Sequence, residues 1–583
     1  MKRTLAEIGI AGAALILSVA SAGADAPVSP LSAALASASS AQYRGCDGYG
    51  AASGGGDGMT EYASVLLIFN PPGYGNTQKS QTDSGAAAIS DCDAALGDLP
   101  PQHWMRKVSL LRARALHDLE NNNSHDALSD LDAAQNAAGN SGDPFYLRSL
   151  KWGLDVVRAY ALRRSGDQAG ATTLAMQAFA QRVYNRQTII SALDALGPRA
   201  DEADIHTVQE GIARLVPAYV DLLFLRAFNT GHFAEAMALY SQVSPPEEIG
   251  RVALSTNDQA GRNWRNFHTA RIFWAVRDGM YAYALAATGK DAEALAGIDA
   301  ARTRLKTDTV PPLPLADRAT EKPEDFALWQ GDADIRARSA TEGAAIIDKW
   351  NTFVQMRIDA SKGKTDEITA ATKSKALPPT WVSIDLLDQV QNQLPKAQRR
   401  PAPEVEALRT RLLTARPDVR DAAPADFFGD LPSAETAARV PSYSKANTPW
   451  FNSSDNAVSG EGYRIGTMNA DGVTTVRFHG GAGASRSMVE ELALLCAADT
   501  ARQSGKKGLI VVGREDIDHT VTTTYYGRPV RTDPGGFETA LKVLFVDPAA
   551  LPDKYKNASW RVMDADAIDT ALAPVYLRTG ARN

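Results

Sequence analysis

Cysteine, histidine and long apolar runs are scarce in this chain of 583 residues, and each scarcity removes a class of function. The three cysteines include no Cys-x-x-Cys pair, so a thioredoxin-like redox centre and a zinc ribbon have no basis. The eight histidines are dispersed and His-Glu-x-x-His does not occur, so no metal or other cofactor is implied. The densest polar group, Asp516, Asp518 and His519, reads as a solvated turn between strands. The adjacent carboxylates Glu490 and Glu491 read as an exposed helical face, because neighbours in sequence do not face each other on a helix. No Gly-x-Ser-x-Gly elbow is present. The glycines after His479 read as a strand-to-helix turn leading to a cap at Ser485 or Ser487. Gly363-Lys364-Thr365 has the tail of a phosphate loop, but Ile358 stands where its first glycine is required. There is no basic run interleaved with aromatics and the formal net charge is −7, so nothing draws the chain to nucleic acid.

What is present begins with a leader-like N-terminus. Lys2 and Arg3 precede an apolar stretch from Ile8 to Ala20, and small residues Ala20 to Ala24 follow. That stretch is too short to stay in a bilayer, so residues 1–24 are expected to be a signal peptide cleaved after Ala22 or Ala24. No later run of 18 apolar residues occurs, and the mature chain is expected to have no transmembrane segment and to lie in the periplasm or outside the cell. In an oxidising compartment Cys46 and Cys92 are expected to pair, leaving Cys496 a buried thiol on an apolar helical face. Residues 25–85 are rich in Ala, Ser and Gly; within them Val65 to Phe69 fits one helical turn or a docked strand.

From 86 to 414 the apolar pattern is helical, and one spacing recurs. Gly166 is followed by Ala171 and Ala178, Gly231 by Ala236 and Val243, and Gly289 by Ala294 and Ala301. A looser copy runs through Ala113, Ala127 and Ala134. The glycine serves a turn between two helices, and the small residues serve a close crossing. This resembles the tetratricopeptide repeat, a helical hairpin of about 34 residues. The resemblance covers roughly 90 to 375, with degenerate units filling the gaps near 180–215 and 245–275, and it lacks most of the family's Trp and terminal Pro positions. It implies a helical solenoid.

Prolines at 417, 424, 432, 441 and 449 mark residues 415–458 as an extended linker. Beyond it the period changes to two. Strands are expected at 463–467, 474–478, 509–512, 521–525 and 541–545, with helices at 484–503 and 565–572. The fold class is therefore mostly α, a TPR-like α-solenoid, plus a smaller C-terminal α+β domain at 459–583 of order β-β-α-β-β-β-α. Arg477-Phe478-His479-Gly480, Ser485-Arg486, Val489-Glu490, Leu494-Leu495, Ala497-Ala498 and Leu509 to Val512 resemble an uncharacterised domain of bacterial envelope proteins, often lipoproteins. This chain departs by lacking the lipoprotein cysteine and by carrying the repeats in front.

Two functions remain. In the first, the array is a scaffold that binds a protein or peptide in the cell envelope, with Trp264, Arg271, Trp274, Arg277 and Tyr281 either in its core or lining its groove. In the second, the C-terminal domain is an envelope hydrolase using His479, Ser485, Asp516, Asp518 and His519.

Overall fold

The computed structural model describes residues 41–51, 82–243, 260–310, 322–374, 377, 379–396, 399, 403–415, 419–430, 462–480, 485–525 and 528–577. The expected leader, the run Val65 to Phe69, the prolines at 311–314 and most of the expected linker lie outside them. The chain is mostly helical, with a small five-stranded antiparallel sheet near its C-terminus. No described helix is long and apolar enough to cross a membrane.

The helices come mainly as consecutive packed pairs. A segment at 41–47 (α1) precedes α2 (Gly85–Gly97), α3 (Trp104–Glu120) and α4 (Ser124–Ala138). Next come the short α5 (Pro144–Arg148), then α6 (Leu150–Ser165) with α7 (Gln168–Gln181), and α8 (Arg186–Leu196) with α9 (Glu202–Leu215). The second half holds α10 (Tyr219–Asn229), α11 (Phe233–Tyr240), α12 (Ala260–Ala287), α13 (Asp291–Asp308), α14 (Pro323–Ser361), α15 (Asp366–Lys373), α16 (Trp381–Asn392) and α17 (Pro403–Ala415).

The recurring spacing has one physical cause. Gly166, Gly231 and Gly289 all have positive φ, and the same closure surrounds each. The residue after the glycine donates its N–H back five residues: Asp167 to Leu162, His232 to Ala227, Lys290 to Leu285. That same residue then opens the next helix, its carbonyl accepting the N–H of Ala171, Ala236 or Ala294. The alanine five after the glycine is thus fixed one turn into the second helix. Ala171, Ala178, Ala236, Ala294 and Ala301 are all buried. The looser copy is the same turn with Asn122 at φ 60° in the glycine's place, and Ala127 and Ala134 buried in step. Gly363 repeats the backward bond between α14 and α15, from Lys364 to Asp359, but the next helix opens one residue later at Thr365, with Ile368 buried five after the glycine. Gly231 has a further constraint, since a Cβ there would fall 1.6 Å from the Trp381 indole nitrogen.

Two segments tie onto the array. Cys46 and Cys92 are joined, fastening 41–51 to α2. The buried Asp47 carboxylate beside them accepts from Arg106 at 2.8 Å and from the Ser109 hydroxyl at 2.9 Å. Within the expected linker, α18 (Pro424–Asp430) is a helix docked on α3 and α8, with Phe427 packed on Tyr160 at 4.8 Å. Proline takes its first position, where no N–H is needed, so Pro424 starts a helix where extended chain was expected.

The C-terminal unit contains β1 (Gly462–Ile465), β2 (Val473–Gly480), α19 (Arg486–Gln503), β3 (Gly508–Tyr525), β4 (Arg528–Val546), β5 (Met563–Asp564) and α20 (Ala565–Tyr576), in sheet order β1-β2-β4-β3-β5. The element order matches expectation but its members differ. The stretches 509–512 and 521–525 belong to one long strand, and the extra strand is the two-residue β5. Asp516, Asp518 and His519 therefore lie in β3 rather than in a turn. A register shift between Val511 and Gly513 interrupts the alternation that would have shown the strand to be continuous.

One face of the sheet packs on α19, and α19 in turn packs on α8. A single apolar core runs without break from Val108 and Trp152 through Ile189 and Leu193 to Leu495, Val511 and Tyr576. The sheet unit is thus a cover over α3–α9 rather than a separately packed module.

Candidate functional site

The five residues of the expected hydrolase site are divided by the sheet. His479 is the cross-strand partner of Glu538, so both project to the side away from α19. There the His519 ring lies edge-on to His479 at 4.6 Å, with its Nε2 2.9 Å from Glu538, and Arg477 donates to the same carboxylate. Asp516 and Asp518 are paired with Thr539 and Phe537 and project toward α19. Asp516 is held by Arg514 and by Arg186 at 3.0 Å, and accepts from Thr539. Burial would raise its carboxyl, but these partners keep it below the ordinary range. Asp518 pairs with Arg486 at 2.7 Å. The Ser485 hydroxyl accepts the Met488 N–H as the cap of α19. Nucleophile, histidine and carboxylate are therefore not assembled into a relay. Among the described residues, no group of three or more His, Cys, Asp and Glu side chains is arranged to hold a metal ion.

Glu490 and Glu491, expected on an exposed face, are both buried. The array supplies the counter-charges of Glu491, while Glu490 is shared between Arg514 of β3 and Arg186 of α8. Glu491 accepts from Arg182 at 2.9 and 3.1 Å, from Arg148 at 2.6 Å and from the Tyr576 hydroxyl. Burial alone would raise this carboxyl, and the two guanidinium groups instead hold it down at about 2. Glu490 pairs with Arg514 at 2.6 Å and accepts the backbone N–H of Arg186 at 3.2 Å. These contacts hold the sheet unit to α5–α8.

Arg271, Trp274 and Arg277 of α12 belong to the core. Arg277 is 1% exposed, 2.7 Å from Asp221, and lies over the Phe273 ring at 3.6 Å. Arg271 and Trp274 are also buried, Arg271 over Phe267 at 4.7 Å and Trp274 under Arg304 at 5.2 Å. Desolvation lowers the pKa of both Arg271 and Arg277. Tyr281 stacks on Tyr240 at 3.9 Å. The Trp264 side chain lies outside the described residues. A peptide cannot reach Arg271, Trp274 or Arg277 without opening the helix packing.

Open space occurs instead at the hairpin ends. Two clefts, of about 520 and 380 Å³, meet where the starts of α9 and α11 come up to the ends of α10 and α12. The larger is walled mainly by Phe233, Ala234, Ala287 and Thr288. The smaller is rimmed by Glu202, His206, Arg226 and Thr230. His232 and Glu235 belong to both. Glu235 lies 3.9 Å from a nitrogen of His206 and 3.9 Å from a nitrogen of His232. Arg226 is occupied by Gln209 and by Glu202 at 3.2 Å.

No family model, curated protein or solved structure matches the chain. The geometry of these residues is what bears on function. His232 and Glu235 lie inside the clearest copy of the repeat, Gly231 to Tyr240, where only the turn and the crossing alanine were read. The signal for the clefts was the polar pair flanking that turn. His206 and Glu202 come from the preceding helix, and nothing local in sequence connects them to it.

Proposed function

We propose that the protein is an exported scaffold of the bacterial envelope, a TPR-like solenoid that holds a protein or peptide partner in the periplasm or outside the cell. The observation that carries this reading is the shared hairpin closure at Asn122, Gly166, Gly231 and Gly289, together with the open clefts beside Gly231. Arrays of packed hairpins offer extended surfaces suited to such partners. Export is supported by the leader-like N-terminus and by the Cys46–Cys92 bridge, which persists only where thiols are not kept reduced.

The test is site-specific photo-crosslinking in the producing cell, with the probe at Ala234 in the cleft wall and, as control, at exposed Lys556 on the sheet unit. A discrete protein or peptide adduct from Ala234 and none from Lys556, in an envelope fraction, is the expected result. Equal, diffuse labelling from both positions would remove the scaffold reading.

A further inference from the structure

The paired clefts differ in chemistry, and the difference selects a ligand. Glu235 forms their common wall and is 39% exposed. Among the described residues no lysine or arginine pairs with it; its charged neighbours are His206 and His232, which carry charge only when protonated. The one guanidinium on the rim, Arg226, is buried and satisfied by Glu202 and Gln209. With neutral imidazoles the smaller cleft therefore presents an uncompensated carboxylate. The larger cleft beside it presents Phe233, Ala234 and Ala287.

Resting on the scaffold reading, we propose that this double cleft docks a peptide segment carrying a basic side chain close to an apolar one. The lysine or arginine lies on Glu235, and the apolar side chain fills the space against Phe233 and Ala287. An acidic segment is rejected, because it would bring a second carboxylate to Glu235. The aliphatic stem of the basic residue covers the apolar edge between the clefts.

The same geometry makes docking depend on pH. The charged and titratable groups around Glu235 are Glu202 and His206 from α9, His232 from its own helix and Arg226 from α10, which Glu202 neutralises; Glu210 and Arg214 lie farther along α9. The hydrogen bond to Glu210 raises the His206 pKa against the opposing effect of burial, and Glu235 raises it further. On acidification His206 takes a proton and supplies Glu235 with a cation from within the protein. The partner's basic group then competes with it. Docking is strongest above the His206 pKa and weakens as pH falls through it.

The test uses full-length mature protein on immobilised dodecapeptides that place arginine near leucine or phenylalanine. Matched sets replace the arginine by glutamate or the apolar residue by serine. Retention on the basic–apolar set should exceed both others by about tenfold. Glu235→Gln should abolish that preference, and Ala234→Trp, which fills the larger cleft, should abolish retention. Both positions are partly or fully exposed, so folding is retained, as helical circular dichroism checks. Retention should also fall between about pH 8 and about pH 5.5. Equal retention of acidic peptides, or binding unchanged in both variants, overturns the cleft assignment while a crosslinked adduct at Ala234 would still support the scaffold. Absence of peptide binding together with absence of an adduct overturns both.

Discussion

The two halves of the helical array complete their cores by different means. Residues 82–215 are rich in alanine and leucine and leave one side of α8 and α9 to be closed by α19 and the sheet. Residues 219–392 close on themselves. Their core is aromatic, with Phe228, Phe233, Tyr283, Trp350 and Phe353 meeting edge to face, and the long helices α12 and α14 pack along each other. Among the described residues the sheet unit meets this half at its margin, where Trp560 packs and Gln242 donates to the Lys554 carbonyl. A helical pair can thus finish its core with a distant part of the chain, joined by buried ion pairs, or with large side chains of its own. The open clefts lie where this second half meets α9, the last helix of the first.

The largest test of this contrast is Arg182→Ala. It leaves Glu491 buried with one guanidinium fewer, and breaking a buried pair costs about 3–5 kcal/mol. Denaturant unfolding should register that loss, and hydrogen exchange should quicken in α5–α9 and α19 while α12–α14 stay protected. Uniform loosening of both halves would show that they are not separable. The converse change is Gly279→Ala. A Cβ there would lie 2.1 Å from the Trp350 ring where α12 crosses α14, and such overpacking costs about 1–3 kcal/mol. Exchange should then quicken in the second half alone. The smallest effect concerns the turns. Asn122→Gly relieves a non-glycine residue at φ 60° and should be neutral or stabilising by a few tenths of a kcal/mol, read as a small rise in the denaturation midpoint. A clear loss would mean that Asn122 serves the first hairpin by its side chain rather than by its backbone.

The contrast also explains what was legible in the sequence. The hairpins were, because glycine, helix-opening residue and crossing alanine lie within six positions and obey local rules. Even the copy without glycine could be placed, through Ala127 and Ala134. The burial of Glu491 was not legible, because what makes it tolerable is Arg148 and Arg182, about 300 residues away in sequence, and Glu490 depends on Arg514 across a strand that was not read as continuous. The continuity of β3 was hidden by its charged middle, Arg514 to His519, whose counter-charges come from α8, α19 and β4. For the aromatic and arginine residues of α12 the sequence left core and groove both open, and the cover that decides for the core at Arg271, Trp274 and Arg277 comes from other helices. The clefts depend on four helices converging, and only one polar pair of the rim sits within a readable motif.

Arg182 waits 309 residues for its carboxylate. A chain made from its N-terminus presents α8 long before α19 exists to cover it, whereas the α10–α16 half has nearly all of its core in hand within one continuous stretch. Order of synthesis and order of completion are therefore reversed: the later half can settle first, and the earlier half closes only when the last strands and α20 arrive. Until then the apolar face of α8 is an exposed surface that needs protection, and the C-terminal sheet is what ends that exposure.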